Sequence, residues 1–179
     1  MNKNLVLKSK RLYLRKLRKG DITKVYLGWL NDPIVNKYME CRFRRHTITS
    51  LLKYYANESK DNDCFFMGIF LADKHRHIGN IKLHRIDWQH RNGELGIMIG
   101  EKDCWGKGYA AEAIKLLVDH AFNRLKLHKV YASIYSVNKN SIRAFKKAGF
   151  FIDSIKKEHY LFNHRFLNEV SMAILNRCR

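Results

Sequence analysis

Residues 103–122 read Asp-Cys-Trp-Gly-Lys-Gly-Tyr-Ala-Ala-Glu-Ala-Ile-Lys-Leu-Leu-Val-Asp-His-Ala-Phe, a glycine-punctuated turn running straight into an amphipathic helix. Ile114, Leu117, Val118, Ala121 and Phe122 recur at helical spacing, which lays one apolar stripe against a core. Gly106 and Gly108 stand where the chain must turn tightly into that helix. A helix N-terminus behind glycines presents free N–H groups and the positive end of the macrodipole, so it suits a phosphate. Taken alone, a G-x-G is equally a plain tight turn, and the flanking sequence has to decide.

The chain of 179 residues is read as a single domain, residues 1–179, long enough to bury a proper core. Its 35 Lys and Arg against 16 Asp and Glu give a formal charge of +19, which favours anionic partners: nucleic acid, a membrane surface or phosphorylated ligands. One proline and ten glycines leave no room for a low-complexity linker. Residues 1–11 never reach a long apolar run, so neither a transmembrane nor a secretory segment is expected and the setting is cytoplasmic. Cys41, Cys64, Cys104 and Cys178 are scattered, without C-x-x-C or paired His spacing. They read as reduced thiols, not a disulfide framework or a metal site. Cys104 beside Gly106 lacks a neighbouring His that would activate it, which favours packing over nucleophilic chemistry.

Periodicity orders the rest. Residues 5–17 alternate in part and predict a first strand with a basic outer face. Gly20-Asp21 breaks it, and Asp21 is the expected N-cap of a short helix through Leu30. Asp32-Pro33 repeats the signal for a second short helix carrying Val35, Tyr38 and Met39. Thr47 or Thr49 starts a third, with Leu51, Leu52, Tyr54 and Tyr55. Residues 64–71 are a buried strand, 72–76 a polar turn and 77–87 the returning strand. Residues 94–100 form another strand, so an antiparallel meander runs into the glycine turn. Beyond the helix, 129–137 is a strand; with 94–99 it makes a β-α-β unit whose strands lie parallel. Residues 138–148 form a helix ended by Gly149, and strands 150–161 and 166–175 close the chain around Asn163-His164. No internal repeat appears, and the class is α+β.

Three ordered motifs carry a resemblance: Lys10-Arg11-Leu12-x-Leu14-Arg15, Trp105-Gly-Lys-Gly-Tyr-Ala-Ala-Glu-Ala113 and Val137-Asn-Lys-Asn-Ser-Ile-Arg-Ala-Phe-Lys-Lys-Ala-Gly-Phe150. Nearly the whole chain resembles the GNAT acetyltransferase superfamily, in the branch named for ribosomal-protein alanine N-acetyltransferases. Gly28-Trp-Leu-Asn-Asp-Pro33 with Tyr38-Met-Glu-Cys-Arg-Phe43 more loosely resembles acetyltransferases of nucleotide-linked amino sugars. The resemblance implies a GNAT fold: a mixed, mostly antiparallel central sheet flanked by helices, with one parallel β-α-β pair splayed around acetyl-CoA.

It also implies roles. The N–H groups of Gly106, Lys107, Gly108, Tyr109 and Ala110 would hold the acetyl-CoA pyrophosphate, since glycine lets the backbone approach and the helix end aligns donors. Asp103 departs from the family's Gln or Arg at its position, a change that backbone contacts tolerate. Ile97, Met98 and Ile99 would line the cofactor arm, with a backbone N–H near Ile97 and Met98 polarising the thioester. An amine is mostly protonated at neutral pH and needs a base. Glu94 is the candidate, with Glu40 and Asp87 behind it, against the plain reading of Glu94 as a solvated or salt-bridged group.

The leaving thiolate needs a proton, and the family's tyrosine is Phe145 here, which has none to give. Ser141, one turn earlier, is the nearest hydroxyl; Asn138 either binds the cofactor arm, caps the helix, or both. Arg143 and Lys147 either reach the CoA 3′-phosphate or form an exposed basic face. Trp29, Tyr38, Arg42 and Arg45 either line the acceptor pocket or simply pack. The activity implied is acetyl transfer from acetyl-CoA to a primary amine, without a metal. The positive charge favours a small anionic acceptor such as a nucleotide-linked amino sugar over a protein N-terminus, a polyamine or an antibiotic. A nucleic-acid-binding or regulatory module on the same scaffold is the competing class. Relatives of this kind are monomers or homodimers.

Overall fold

The computed structural model describes residues 5–61 and 63–177, so Cys178 lies outside the described residues. The basic stretch expected as one strand is a hairpin of Val6–Lys8 (β1) and Leu12–Lys16 (β2), antiparallel with Val6 opposite Arg15. Ser9 makes the reversal without glycine or proline: its N–H bonds Leu12 O at 2.9 Å and its Oγ accepts from Leu12 N at 3.1 Å. A side-chain turn of this sort competes with the strand ladder and is hard to see by composition.

Two helix starts also differ from the sequence expectation. Thr23, not Asp21, caps the helix Lys24–Asn31 (α1), accepting from Tyr26 N at 3.3 Å. Asp21 instead closes a short 3-10 turn and receives both Arg15 amino groups at 2.7 and 2.8 Å. The expected helix after Asp32-Pro33 does not form. Asp32 Oδ1 accepts from Ile34 N at 2.8 Å in a turn, and the only helical piece before the next cap is the 3-10 segment Glu40–Phe43. Thr47 is the cap of Ile48–Lys60 (α2), through a reciprocal pair with Ser50.

The remaining elements follow the periodicity closely: Phe65–Leu71 (β3), His77–Asp87 (β4), Asn92–Ile99 (β5), Tyr109–Asn123 (α3), Lys129–Tyr135 (β6), Lys139–Lys147 (α4), Phe151–Phe162 (β7) and Arg165–Leu175 (β8). Among the described residues one eight-stranded sheet runs β1-β2-β3-β4-β5-β6-β8-β7, antiparallel except for β5 beside β6. Its two faces bury different clusters. Leu95, Ile97, Val130, Ile134 and Met172 pack on Ile114, Leu117, Val118, Ala121 and Phe145 of α3 and α4. On the opposite face Met98 joins Leu17, Tyr26, Trp29, Leu30 and Leu51 beneath α1 and α2.

The parallel pair decides where a ligand fits. Pairing runs from Asn92 opposite Lys129 to Glu94 opposite Tyr131 and stops. β5 goes on pairing with β4 as far as Ile99 opposite Gly79, and β6 with β8 as far as Tyr135 opposite Glu169. The two strands therefore part after Glu94, and each leaves one backbone edge facing the gap.

Candidate active site

Gly96 sits at the parting, exposed to solvent, and a Cβ built on it would meet no atom within 4 Å. Strand alternation puts Glu94, Gly96 and Met98 on the α1–α2 face, and Leu95, Ile97 and Ile99 on the α3–α4 face. Met98 is buried in one cluster and Ile97 packs against the other, so neither side chain lies in the gap and only their backbone borders it.

At the end of β5 the chain enters the glycine turn. Gly106 and Gly108 adopt φ of 75° and 82°, a left-handed backbone open to glycine at no steric cost, and Gly108 is the N-cap of α3. The first intrahelical bond is Glu112 N to Gly108 O at 3.2 Å, so the N–H groups of Tyr109, Ala110 and Ala111 precede it and point out of the helix end. The turn is clamped from three sides. Trp105 Nε1 donates to Ile99 O at 2.8 Å, tying the turn to the edge of β5. Asp103 accepts from Arg76 at 2.6 Å, which gives the family departure a structural use. Cys104 is buried beneath, with burial raising its thiol, as a packing residue would have it.

The third clamp is Arg11, whose signal in the sequence is only its place in the Lys10–Arg15 motif. Its guanidinium donates through Nε, at 2.7 Å, and through Nη2 to Glu112 Oε2, while its backbone N–H donates to Oε1 at 3.3 Å. Nη1 donates to Lys107 O at 3.0 Å, and the guanidinium lies over the Tyr109 ring at 4.7 Å. Ser9 Oγ completes the Glu112 contacts at 2.7 Å. Two guanidinium nitrogens on one carboxylate oxygen and the third on a carbonyl make a planar fork that Lys cannot form. Arg11→Ala is therefore expected to raise the KM for acetyl-CoA about tenfold with kcat nearly kept, because the loss of one or two charge-assisted bonds at ~1.5 kcal/mol loosens the turn. Steady-state kinetics at saturating acceptor checks this, and an unchanged KM overturns it.

The other sequence candidates scatter. Glu94 Oε2 accepts from Arg85 at 2.8 Å, and its carboxylate lies at the last paired position before the gap. Asn138 caps α4, its Oδ1 accepting from Ser141 N at 3.2 Å. Ser141 is half-buried, one turn before Phe145, which is 2% exposed and packs edge-on against Phe150. Arg143 is exposed, bonds Asn140 at 2.6 Å and lines the groove between α4 and β7 with Ile152 and Ile155. Lys147 is exposed. Asp87 accepts from His90 N at 2.7 Å in the β4–β5 turn, at the far end of β5 from Gly96. Trp29 is core, with Nε1 on Glu101 at 3.0 Å, and Arg45 is exposed.

Tyr38, Arg42 and Glu40 do gather, on the α1–α2 face beside Tyr135. Tyr135 donates to Glu40 Oε1 at 2.7 Å; burial first, then this bond, raises the phenol and keeps it protonated. Further along, Tyr160 stacks on Tyr135 at 4.0 Å and donates to Glu169 at 2.9 Å. Burial acts to raise the Glu169 carboxyl, but Lys156 and Tyr160 outweigh it and hold it below the usual range. Lys82, opposite Gly96 in the register, is held by Glu58 at 2.7 Å.

A sheet that parts beside a glycine-cradled helix end is the frame of an enzyme that draws an acyl group from a CoA thioester. The acetyltransferase (GNAT) domain family profile matches residues 11–151, and the chain belongs to that family. It is 31% identical over 183 residues to the probable N-acetyltransferase YjcK of Bacillus subtilis (strain 168), covering 96% of this chain and 97% of that one. The spermidine N(1)-acetyltransferase of Vibrio cholerae is 27% identical, covering 92% of each chain. A crystal structure of spermidine N-acetyltransferase from Vibrio cholerae in complex with CoA and spermine superposes with a TM-score of 0.82 at 26% identity, covering 93% of this chain and 96% of that one. The protein is an acetyl-CoA-dependent N-acetyltransferase. Among the described residues no group of His, Cys, Asp and Glu is placed to hold a metal, and no helix is long and apolar enough to cross a membrane.

Proposed function

We propose that the acceptor is a small primary amine of the polyamine type, acetylated at the gap beside Gly96 with Glu94 taking its proton. The open space at Gly96, on the face that Glu94 shares and at the point where β5 and β6 part, carries this reading. The pyrophosphate rests on the N–H groups of residues 106–110, and the thioester lies along the backbone of Ile97, Met98 and Ile99. The amine nitrogen approaches from the α1–α2 face, loses its proton to Glu94 and forms a bond to the carbonyl carbon. The carbon–sulfur bond then breaks, and the thiolate takes the second proton that the nitrogen has to lose. Phe145 cannot carry it; we assign the relay to the Ser141 hydroxyl, which gives its proton to the thiolate and takes the nitrogen's in return, with Asn138 holding the cofactor arm.

The relatives that act on spermidine support a small amine, whereas nothing among them favours an amino sugar. The total of +19 pointed toward an anionic acceptor, yet cations on this face are paired. Arg42, Lys82, Arg85 and Lys156 on this face each stand within 4 Å of a carboxylate, of Glu40, Glu58, Glu94 and Glu169 in turn. A cationic acceptor therefore meets local balance.

Thiol release from acetyl-CoA, screened with spermidine, an N-terminal peptide and a nucleotide-linked amino sugar, tests the acceptor. Turnover is expected with spermidine; turnover with either other compound and none with spermidine overturns the reading. Glu94→Gln is expected to lower kcat about a hundredfold, since general-base catalysis contributes at least that much. An unchanged kcat would show that Glu94 serves only Arg85.

A further inference from the structure

A second cation site lies on the acceptor face, and the chain fills it with its own side chain. The segment between α1 and α2 sets Tyr38 against Tyr135 and Phe162, and Arg42 reaches Leu161 O from the Glu40–Phe43 turn. Its guanidinium carbon stands 4.1 Å from the ring centroid of Phe43, 5.1 Å from that of Tyr135 and 5.4 Å from that of Phe162. It donates to Met39 O at 3.1 Å, Tyr135 Oη at 2.9 Å and Leu161 O at 3.3 Å, with Glu40 Oε1 at 3.8 Å. Tyr38 closes the box, stacked on Phe162 at 5.6 Å.

The chemistry of the lining is one-sided. Tyr135 gives its own proton to Glu40, so toward the box it presents a lone pair. Two backbone carbonyls, a phenol oxygen and a carboxylate, between aromatic faces, offer acceptors and ring quadrupoles only. Such a site takes a cation and rejects an anion or a neutral donor-poor group. The Arg42 side chain is 14% exposed, so the cation there is largely out of water.

Its position relates it to the reacting centre. Tyr131 is level with Glu94, so Tyr135 lies two residues past the level of Gly96, about 7 Å along the strand, and across a gap of at least about 5 Å. A short alkyl arm between two amines spans that reach.

We propose that this box is the subsite for the acceptor's distal cation, and that Arg42 is the plug which the acceptor displaces. The proposal rests on the reading of the acceptor as a polyamine-type amine. Exchange leaves the charge inside the box unchanged: an alkylammonium enters, and a guanidinium returns to water. Specificity follows, because an amine without a distal cation gains nothing from opening the box, and the plug taxes every acceptor that needs it.

Arg42→Met, which keeps an apolar stem between the rings and removes the charge, is the test. A plug seated nine-tenths of the time raises the apparent dissociation constant about tenfold, so the variant is expected to lower the KM for spermidine and putrescine by about that factor and to leave that for butylamine unchanged. Methylguanidine is expected to raise the Tm of the variant but not of the wild type, and to compete with spermidine rather than with acetyl-CoA. An unchanged or raised spermidine KM in a folded variant that methylguanidine does not stabilise overturns the proposal: Arg42 is then a tether alone. Should Arg42→Met not fold, Arg42→Lys keeps a cation without the planar fork and is expected to lower the spermidine KM about threefold, the plug being weaker; no change there overturns the proposal equally. Wild-type enzyme that acetylates no polyamine, beside a variant that methylguanidine stabilises, removes the acceptor reading and leaves the box standing.

Discussion

Gly79→Ala is expected to destabilise the protein by about 3 kcal/mol, the upper part of the usual overpacking range, and so to lower Tm by about 6–12 °C. Gly79 lies near the start of β4, flanked by Ile69 of β3 and Ile99 of β5. A methyl group there overlaps the Met98 carbonyl oxygen and comes within 2.9 Å of the Ile99 Cα. Both neighbours are backbone, and no rotamer change relieves the overlap; β4 and β5 have to separate. The displaced segment is the one that borders the gap, so the KM for acetyl-CoA should rise together with the loss of stability. Gly96→Ala is the control, since its Cβ meets nothing within 4 Å and its stability should hold. Thermal unfolding of both variants decides the matter, and an unchanged Tm for Gly79→Ala contradicts the close approach of the two strands.

Gly108→Val is expected to act on the donor alone, raising the KM for acetyl-CoA about ten- to a hundredfold while sparing the acceptor. The residue holds φ of 82°, and a left-handed backbone costs an ordinary L-residue about 1–2 kcal/mol, more when the side chain is β-branched. The turn relieves that strain by rotating its peptides, which withdraws N–H groups from the phosphate position. Each such bond to a charged group is worth about 1.5–3 kcal/mol, and 1.4 kcal/mol is a factor of ten in affinity. There is space at the site itself, the nearest atom to a Cβ being Arg11 Nη2 at 3.7 Å, so conformation and not collision is what the substitution tests. The expected signature is a large loss of acetyl-CoA-induced stabilisation on top of the ~2–8 °C by which the strain lowers the Tm of the free protein. Equal stabilisation of variant and wild type would remove the phosphate role of this turn.

The glycine turn, its helix and the parallel strands on either side were legible because each is written in neighbouring residues. Apolar positions every third or fourth residue define α3, alternation defines β5 and β6, and Gly149 at φ of 99° ends α4 where its position suggested. Together with the three motifs those pieces carried the resemblance, and the resemblance supplied the donor and the fold. Other local signals misled where two readings were close in energy. Asp21 resembles a cap as well as Thr23 does, and the choice went to Thr23 because Arg15, across the turn, holds the Asp21 carboxylate.

The acceptor face belongs to the tertiary structure. Arg11 and Glu112 lie 101 residues apart, Arg42 and Tyr135 lie 93 apart, and Arg42 and Leu161 lie 119 apart. No periodicity within a helix or a strand relates such positions. They meet only once strand order, register and the divergence of β5 from β6 are set, and those depend on the summed packing of both faces of the sheet. The sequence by itself, through the family its motifs resemble, determined that the donor is acetyl-CoA, and it offered the glycine-led helix end as the phosphate site because that site is made of consecutive backbone N–H groups. What amine it serves, and that one of its own arginines sits where a second cation fits, was decided by side chains that only the fold brings within reach.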